Sequence, residues 1–325
     1  MSDYEFSPNS WEKLKLLRDI FLNPKKSAAG DYWSSKELLE IYDHSFARRI
    51  FWKWEHALET ISEIPEIDCL WDWGCGSGAA TEAILNRFPE FSADLFFSDR
   101  SPLAQEYCRE KISSQYSVEI AKTEPLNRKY GIIISHVLNE VESMPPALMA
   151  AIDRAEFVFC LESGTPSASQ NCINLRERIR KRFQIMAPCP HQNRCPLFND
   201  KTPKNPNQHW CHFFSFPPNT VHQSAFWSKF SQELGIDLRR ISYSYFFAKK
   251  YCSEDDLERS EDGQFHRIIG LPRIYKAHAK ILDCSSDGLL ECTLNKRQDS
   301  ELFKSLKKSK FDSWQNWKIE KGKIK

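Results

Sequence analysis

The sequence predicts an α/β fold built on a doubly wound parallel sheet, and three observations predict it. Short apolar runs alternate with helical stretches between residues 67 and 168. Those runs are apolar throughout, which is typical of parallel strands that helices cover on both faces. A glycine-rich turn joins the first run to the helix that follows it, and such turns let a ligand approach the backbone closely.

Composition narrows the class of protein. The chain has 325 residues, of which 41% are hydrophobic and 27% are charged, and these fractions exclude a disordered or collagen-like chain. No apolar stretch approaches the roughly 18–20 residues that a bilayer crossing needs. The first residues are acidic and lack the basic start of an export or import signal. We therefore expect a cytoplasmic protein with no membrane partner, whereas no pattern indicates an oligomeric state.

Residues 1–66 form a predicted N-terminal helical region. Apolar side chains recur there at helical spacing, and we expect them to pack on the part of the chain that forms the sheet. The two stripes consist of Trp11, Leu14, Leu17 and Phe21, and of Leu39, Tyr42, Phe46, Ile50, Trp54, Leu58 and Ile61. Arg48, Arg49 and Lys53 lie on the second predicted helix, where a solvated face is the favoured interpretation and contact with phosphate is the alternative.

Residues 67–168 form the predicted core of the sheet. Strands are predicted at Cys69–Trp73, Asp94–Ser98, 132–137 and 157–161, with a weaker run at 117–121. Helices are predicted between them at Ala79–Arg87, 102–113 and 146–155. This strand–helix alternation is the pattern of parallel strands joined by helical crossovers.

The rest of the chain is less regular. Residues 169–218 contain a basic helix, predicted at 174–183, and then a stretch rich in proline and cysteine. Residues 219–325 are predicted to complete the sheet with a strand at 241–248. An acidic loop at 254–262, strand-like runs around 283–288 and a lysine-rich tail follow, and these predict a small C-terminal β extension.

The turn after the first strand contains Gly74, Gly76 and Gly78, and its spacing alone also fits a dinucleotide fingerprint. Asp72 favours another ligand, because a carboxylate two residues before the first glycine would repel a pyrophosphate. The same carboxylate suits a ligand with an ammonium group and no phosphate, such as the methionine end of S-adenosylmethionine. The alternative is a structural glycine turn with an acid that caps a helix.

Asp99 ends the next strand, 21 positions after Gly78. A carboxylate at this place can accept both hydroxyls of an adenosyl ribose. Asp72 and Asp99 on either side of the glycine turn resemble class I S-adenosylmethionine-dependent methyltransferases. This resemblance implies a Rossmann-like sheet that binds S-adenosylmethionine through Asp72, Gly74, Gly76, Gly78 and Asp99.

The end of the strand at 132–137 does not identify a catalytic residue. Methyltransferases that act on base amino groups usually carry an Asn or Asp, two prolines and an aromatic residue there, and this chain lacks them. His136 is a candidate general base, and Asn139 and Glu140 are candidate lining residues, but a structural role is equally open for each. No catalytic residue is assigned.

Three cysteines and three histidines fall within 24 residues of a segment that has few apolar side chains to bury. They are Cys189, Cys195 and Cys211, with His191, His209 and His212. Prolines beside the cysteines stiffen the backbone, which lowers the entropy cost of gathering metal ligands. The gaps of five and fifteen residues between the cysteines are wider than those usual for zinc and fit an iron–sulfur cubane, which needs four thiolates.

The fourth cysteine has three candidates, Cys252, Cys284 and Cys292. Cys284 precedes a Ser-Ser-Asp-Gly turn and can point to one side of a hairpin. Cys292 is the second choice, and Cys252 lies beside the acidic loop, where negative charge would oppose a thiolate-rich cluster. A zinc site that uses His191 or His212 in place of Cys284 stays open.

Charge is distributed unevenly along the chain. Residues 1–165 contain 17 basic and 27 acidic side chains, whereas residues 166–325 contain 28 and 17. Around the cysteines the basic residues are Arg176, Arg178, Arg180, Lys181, Arg182 and Arg194. Tyr275, Trp314 and Trp317 lie among further basic residues near the C-terminus. Basic and aromatic side chains together suit an RNA backbone with some exposed bases.

Several segments together resemble one family, the methyltransferase-like proteins of the small ribosomal subunit in mitochondria and bacteria. The segments are Glu162-Ser-Gly-Thr-Pro166, the basic helix, Ala187-Pro-Cys-Pro-His191 with Cys195-Pro, Trp210-Cys-His-Phe213, and Leu271-Pro-Arg-Ile274 before Cys284. The resemblance runs from about residue 35 to 300. It implies a class I methyltransferase fold with a cysteine-rich insertion that holds a [4Fe–4S] cluster on Cys189, Cys195, Cys211 and Cys284.

The resemblance also implies binding to ribosomal RNA during assembly of the small ribosomal subunit. Three functions are consistent with it and with the residues. The first is a methyltransferase-like assembly factor with S-adenosylmethionine and an iron–sulfur cluster, which methylates ribosomal RNA. The second is a non-catalytic RNA-binding assembly factor. The third is an RNA methyltransferase that contains zinc.

Overall fold

A computed structural model describes residues 6–23, 31–141, 143–198, 209–251, 265–309 and 311–324. The predicted acidic loop at 254–262 and Cys252 lie outside these ranges. The chain divides into two compact units, the first made of residues 1–162 and 214–242 and the second of residues 163–213 and 243–325. None of the helices in the described ranges combines the length and apolar character that a bilayer crossing requires.

The described residues at the start of the first unit form three helices, α1 (Pro8–Leu22), α2 (Lys36–Asp43) and α3 (Phe46–Leu58). Serine side chains cap the first two: the Ser7 hydroxyl accepts a hydrogen bond from the Ser10 amide, and the Ser35 hydroxyl accepts one from the Leu38 amide. The predicted stripe on α1 is buried. A later helix, α8 (Ala225–Leu234), packs on this layer, as shown by the 5.1 Å between the ring centres of Trp52 and Trp227.

The parallel part of the sheet, as far as the chain is described, consists of β1 (Cys69–Trp73), β2 (Asp94–Ser98), β3 (Tyr130–Ser135) and β4 (Phe157–Ser163). Their order is β2-β1-β3-β4, and every neighbouring pair is parallel. The helices α4 (Ala79–Arg87), α5 (Pro102–Gln115) and α6 (Pro146–Arg154) follow β1, β2 and β3 in the chain. The weak run at 117–121 forms only an isolated bridge, between Leu95 and Ile120.

β1 lies between β2 and β3, so the order of strands reverses beside it. In doubly wound sheets a ligand binds outside the carboxyl ends of the strands at such a point. The glycine turn, Asp99 and the residues after β3 all follow the carboxyl ends of these three strands. The fold therefore brings the residues predicted to bind a cofactor to one edge of the sheet.

The second unit begins with α7 (Pro166–Ile179) and β5 (Phe183–Ala187). The predicted helix at 174–183 was wrong at both ends. The helix begins at Pro166 because the Thr165 hydroxyl accepts a hydrogen bond from the Ala168 amide and proline suits the first helical position. Phe183 starts β5, which pairs antiparallel with β7 (Ile241–Lys250). Between them in the chain lies the short strand β6 (Phe213–Ser215).

A C-terminal β extension completes the second unit. Its long strands β8 (His266–Ile274), β9 (His278–Ser285) and β10 (Gly288–Asn295) form an antiparallel meander. Helix α9 (Ser300–Lys308) and the short strands β11 (Trp314–Gln315), β12 (Ile319–Glu320) and β13 (Lys323–Ile324) follow. The extension has an apolar core of its own, to which Ile281, Cys292 and Phe303 contribute.

Candidate cofactor site and cysteine group

The glycine turn after β1 contains three residues with positive φ, Gly74, Gly76 and Gly78. A β-carbon at Gly74 would clash with Cγ2 of Val137, and one at Gly78 would lie 2.8 Å from Sγ of Cys108. At Gly76 an added β-carbon would meet no atom within 4 Å. Close packing therefore explains two of the glycines, and the third faces open space that a ligand can fill.

Asp72 lies under this turn and is 1% exposed. Its Oδ2 accepts a hydrogen bond from the Thr81 hydroxyl at 2.7 Å, whereas its buried Oδ1 has no hydrogen-bond partner. Burial raises the pKa of this carboxyl group to about 7. A buried oxygen without a partner is costly, and a cationic ligand would satisfy it. The site thus fits the ammonium group predicted from the sequence.

Asp99 follows β2 and joins the turn to the next helix. Its Oδ2 accepts a hydrogen bond from the Gly76 amide at 2.9 Å, and its Oδ1 accepts one from the Ser101 amide at 2.9 Å. Burial raises the pKa of this carboxyl group. Each carboxylate oxygen has capacity for a second hydrogen bond, so the ribose hydroxyls of an adenosyl group fit here.

A buried pair of nitrogens lies beside this edge, and no pattern in the sequence indicates it. Lys53 of α3 is 5% exposed, and its Nζ lies 3.2 Å from Nε2 of His136, which follows β3. Burial lowers the pKa of Lys53 to about 7 and that of His136 well below its usual value. The sequence predicted a solvated face for this helix, and that prediction was wrong at Lys53. It was also wrong at Arg48, which binds Glu82 in a largely buried ion pair.

Two carboxyl groups follow at the ends of β4 and β3, the buried Glu162 and the partly buried Glu140. Glu162 at the end of β4 accepts hydrogen bonds from the Leu138 amide and the Asn139 side chain, both at 2.7 Å, and burial raises its pKa to about 8. Glu140 accepts a hydrogen bond from the Tyr32 hydroxyl at 3.0 Å, and burial raises its pKa to about 7. No sequence motif indicates these contacts, because each partner comes from a distant segment.

In the second unit the four cysteines of the predicted metal site lie near one another. We call them the thiol group: Cys189, Cys195, Cys211 and Cys284. Burial raises the pKa of Cys211, and the other three thiols raise it further. Burial, followed by Cys189, raises the pKa of Cys195 to about 12. Burial also raises the pKa of Cys284, with further contributions from Cys189 and Cys195.

The other candidate ligands differ in position. His191 is buried, its Nε2 lies 3.7 Å from Sγ of Cys284, and its Nδ1 has no hydrogen-bond partner. His212 directs its Nδ1 to the Trp210 carbonyl oxygen at 3.0 Å. Cys292, the second choice for the fourth thiol, lies in the apolar core of the C-terminal extension.

Within the described ranges, no group of three or more Cys, His, Asp or Glu side chains is arranged to hold a metal ion. The structure therefore does not show the predicted metal site, whether iron–sulfur or zinc. Each thiolate of a cubane binds a different iron, so its four thiols stand farther apart than ligands of a single ion. Four neighbouring thiols have the chemistry that an iron–sulfur cubane needs. The structure shows only that these thiols lie near one another.

The predicted basic surface is only partly available to a partner. Arg178 is exposed, whereas the Arg176 side chain is 2% exposed and Arg180 binds Glu177. In the C-terminal extension Tyr275 is 45% exposed and stacks on His278 with 4.7 Å between ring centres. Trp317 belongs to the apolar core, so the expectation that it contacts a base was wrong.

Comparison with known proteins gives one family and several structural likenesses. The family described as mitochondrial small ribosomal subunit Rsm22 matches residues 70–315, and no curated protein matches the chain. Precorrin-6y C5,15-methyltransferase from Geobacter metallireducens is 11% identical, with 61% of this chain and 88% of that chain covered and a TM-score of 0.36. The plantazolicin methyltransferase BpumL with S-adenosylhomocysteine is 14% identical, with 74% and 96% covered and a TM-score of 0.35. The predicted α/β fold with a doubly wound parallel sheet is confirmed by the strand order β2-β1-β3-β4 and by the helices between those strands.

Proposed function

This chain belongs to the Rsm22 family of the mitochondrial small ribosomal subunit, and from that premise we propose that it binds S-adenosylmethionine and acts on small-subunit ribosomal RNA during ribosome assembly. The family predicted from the sequence is thereby confirmed, and the protein is methyltransferase-like and related to the ribosome. The observation that carries the proposal is the open face of Gly76 between the unpartnered Oδ1 of Asp72 and the carboxylate of Asp99.

Each of these residues has a role toward the cofactor. Asp72 would bind the ammonium group, Asp99 would accept hydrogen bonds from the ribose, and Gly76 would let the chain pass under the ligand. When bound, S-adenosylmethionine would supply a methyl group on a positively charged sulfur. That sulfur leaves as a neutral thioether when the methyl group is transferred. The protein then has to hold an RNA nucleophile in line with that methyl group and exclude water.

We further propose that the thiol group holds a [4Fe–4S] cluster. The mutual proximity of the four thiols supports a metal centre in this region. When bound, the cluster would link four separate chain segments and stabilise the fold. Zinc on three of the cysteines with His191 is the alternative, since Nε2 of His191 lies near Cys284.

Metal analysis after anaerobic purification distinguishes these sites. We expect a brown protein with about four irons and four sulfides per chain. A colourless protein with one zinc would move Cys189, Cys195 and Cys211 into a zinc site. A protein without metal in either form would refute the cluster and leave the cofactor site unaffected.

A non-catalytic assembly factor is the second candidate function, and one observation favours it. The segment after β3 lacks the Asn/Asp-Pro-Pro-aromatic motif, and its polar groups are occupied within the protein, as Asn139 and Glu140 show. Labelled S-adenosylmethionine separates the two functions. Transfer of the labelled methyl to RNA of isolated small subunits indicates the enzyme, whereas cofactor binding without transfer indicates the assembly factor.

A further inference from the structure

The last turn of α7 buries an adjacent pair of opposite charges, Arg176 and Glu177. Their side chains are 2% and 7% exposed, and the two form an ion pair. Burial of charges costs free energy unless hydrogen bonds satisfy them, so the remaining contacts of this pair indicate what it is for. From the sequence, Arg176 belonged to the surface that contacts RNA, but its burial removes it from that surface.

Arg176 contacts the first cysteine-bearing turn of the thiol group. Its guanidinium lies beside the Cys189 side chain. Its Nη2 also donates a hydrogen bond to the His191 carbonyl oxygen at 3.3 Å. Its buried Nε has no hydrogen-bond partner. A positive charge is thus held directly against one thiol and against the backbone two residues further on.

Glu177 contacts the second cysteine-bearing turn. Its Oε1 accepts a hydrogen bond from the backbone amide of Cys195 at 3.0 Å. Its Oε2 accepts one from Nε of Arg180 at 2.8 Å, which fixes the carboxylate from the helix surface. Two consecutive residues of α7 therefore contact two of the cysteines. The positive charge of Arg176 lies beside the sulfur of Cys189, and the carboxylate of Glu177 accepts a hydrogen bond from the amide of Cys195.

We propose that Arg176 and Glu177 are positioning residues for the metal centre of the thiol group. This inference rests on the proposed iron–sulfur cluster. Arg176 offsets the negative charge of a thiolate-ligated cluster beside one ligand sulfur, and Glu177 sets the position of the second ligand. Such partners of metal ligands orient them and change metal affinity by about 10–100-fold when they are removed.

The test compares variants after anaerobic reconstitution with iron and sulfide. We expect R176M and E177A to bind iron at least about tenfold more weakly in competition with a chelator. R176K keeps the charge with fewer donors and E177Q keeps a carbonyl oxygen for the Cys195 amide, so both should recover part of the affinity. R178M changes an exposed arginine of the same helix and is the matched control, with wild-type iron affinity.

A second measurement separates positioning from RNA contact. Binding of small-subunit ribosomal RNA should weaken in R178M and stay within about twofold of wild type in metal-loaded R176K. If wild type binds iron and both R176M and E177A bind it equally well, the inference is wrong while the cluster stands. If wild type binds no iron, the proposed cluster itself fails. Should R176M not fold, E177A decides, since wild-type iron affinity in that variant overturns the inference.

Discussion

Three glycines follow β1 within five residues, yet an added side chain would meet different surroundings at each. Gly74 and Gly78 face Val137 and Cys108, so substitution there disturbs packing before it affects a ligand. Gly76 faces open space and has a φ of +51°, which asparagine tolerates better than other residues with a β-carbon. A substitution at Gly76 therefore tests ligand binding with little effect on the fold.

We expect Gly76→Asn to abolish measurable binding of S-adenosylmethionine, because its side chain would occupy the ligand space. The melting temperature without ligand should fall by no more than a few degrees. Gly235→Asn is a matched control, since Gly235 has a φ of +58° and no atom within 4 Å of an added β-carbon, but ends α8. Calorimetric titration checks both variants. Unchanged cofactor binding in Gly76→Asn would contradict the assigned site.

Asp72 makes cofactor binding depend on pH. Its pKa is about 7 in the free protein, and only the ionised carboxylate attracts an ammonium group. Below about pH 7 the cofactor has to displace a proton, so its affinity should rise about tenfold per pH unit up to about pH 7, and then fall once the cofactor's own α-amino group loses its proton near pH 8. Asp72→Asn should bind about a hundredfold more weakly with no such rise. Titration calorimetry between about pH 5.5 and 8 checks this prediction. If the affinity of Asp72→Asn rose with pH as steeply as that of the wild type, Asp72 would not be the cause of the pH dependence.

At the scale of elements, the sequence predicts well where local signals decide. β1, β2 and α4 have the predicted bounds, because apolar runs and the glycine turn mark them. β3 ends two residues earlier than predicted because His136 has a φ of +59°, which a strand does not tolerate. The apolar run continues to Val137 and therefore gives no sign of this break. The contacts of Lys53 and Arg176 could not be predicted, since their partners lie 83 and 15 positions away and depend on packing.

The contact of α3 with the end of β3 buries a lysine whose pKa falls from 10.5 to about 7. The unfolded chain therefore binds more protons than the folded one between these values, so the stability of the wild type rises with pH from about 7 to about 10.5. Replacing Lys53 with methionine removes this dependence. We expect Lys53→Met to be more stable than wild type by about 3 kcal/mol near pH 8, with the difference vanishing near pH 10.5.

Denaturant unfolding at several pH values checks this difference. Arg49 and Glu162 also act on the pKa of Lys53. The pKa of Glu162 is raised to about 8, so the contribution of this residue to the stability of the protein falls as the pH rises from about 4.5 to about 8. Comparison of Lys53→Met with wild type cancels that contribution to first order. Lys122→Met changes an exposed lysine and should show no pH-dependent difference. A variant less stable than wild type at every pH would show that the Lys53–His136 contact outweighs the cost of burial.

At the scale of the whole chain, opposite charges occupy different parts of the sequence, with the basic excess in residues 166–325. The structure reduces the basic surface within that part, because Arg176 and Arg267 are buried and Arg273 and Lys280 bind Glu291. Arg178 and Lys181 are exposed at the end of α7. RNA affinity should therefore depend on a smaller set of side chains than the composition indicates.

The salt dependence of RNA binding measures how many basic side chains contact phosphates. Each phosphate contact releases counterions, so the slope of log affinity against log salt falls by about one for each contact that is removed. We expect the double variant R178M/K181M to lower the slope by about two, while Lys122→Met, in the acidic part of the chain, leaves it unchanged. Fluorescence anisotropy with small-subunit ribosomal RNA, from about 50 to about 200 mM salt, gives both slopes. Equal slopes in wild type and the double variant would mean that RNA binds elsewhere, and a loss in Lys122→Met would place phosphate contacts on the first unit.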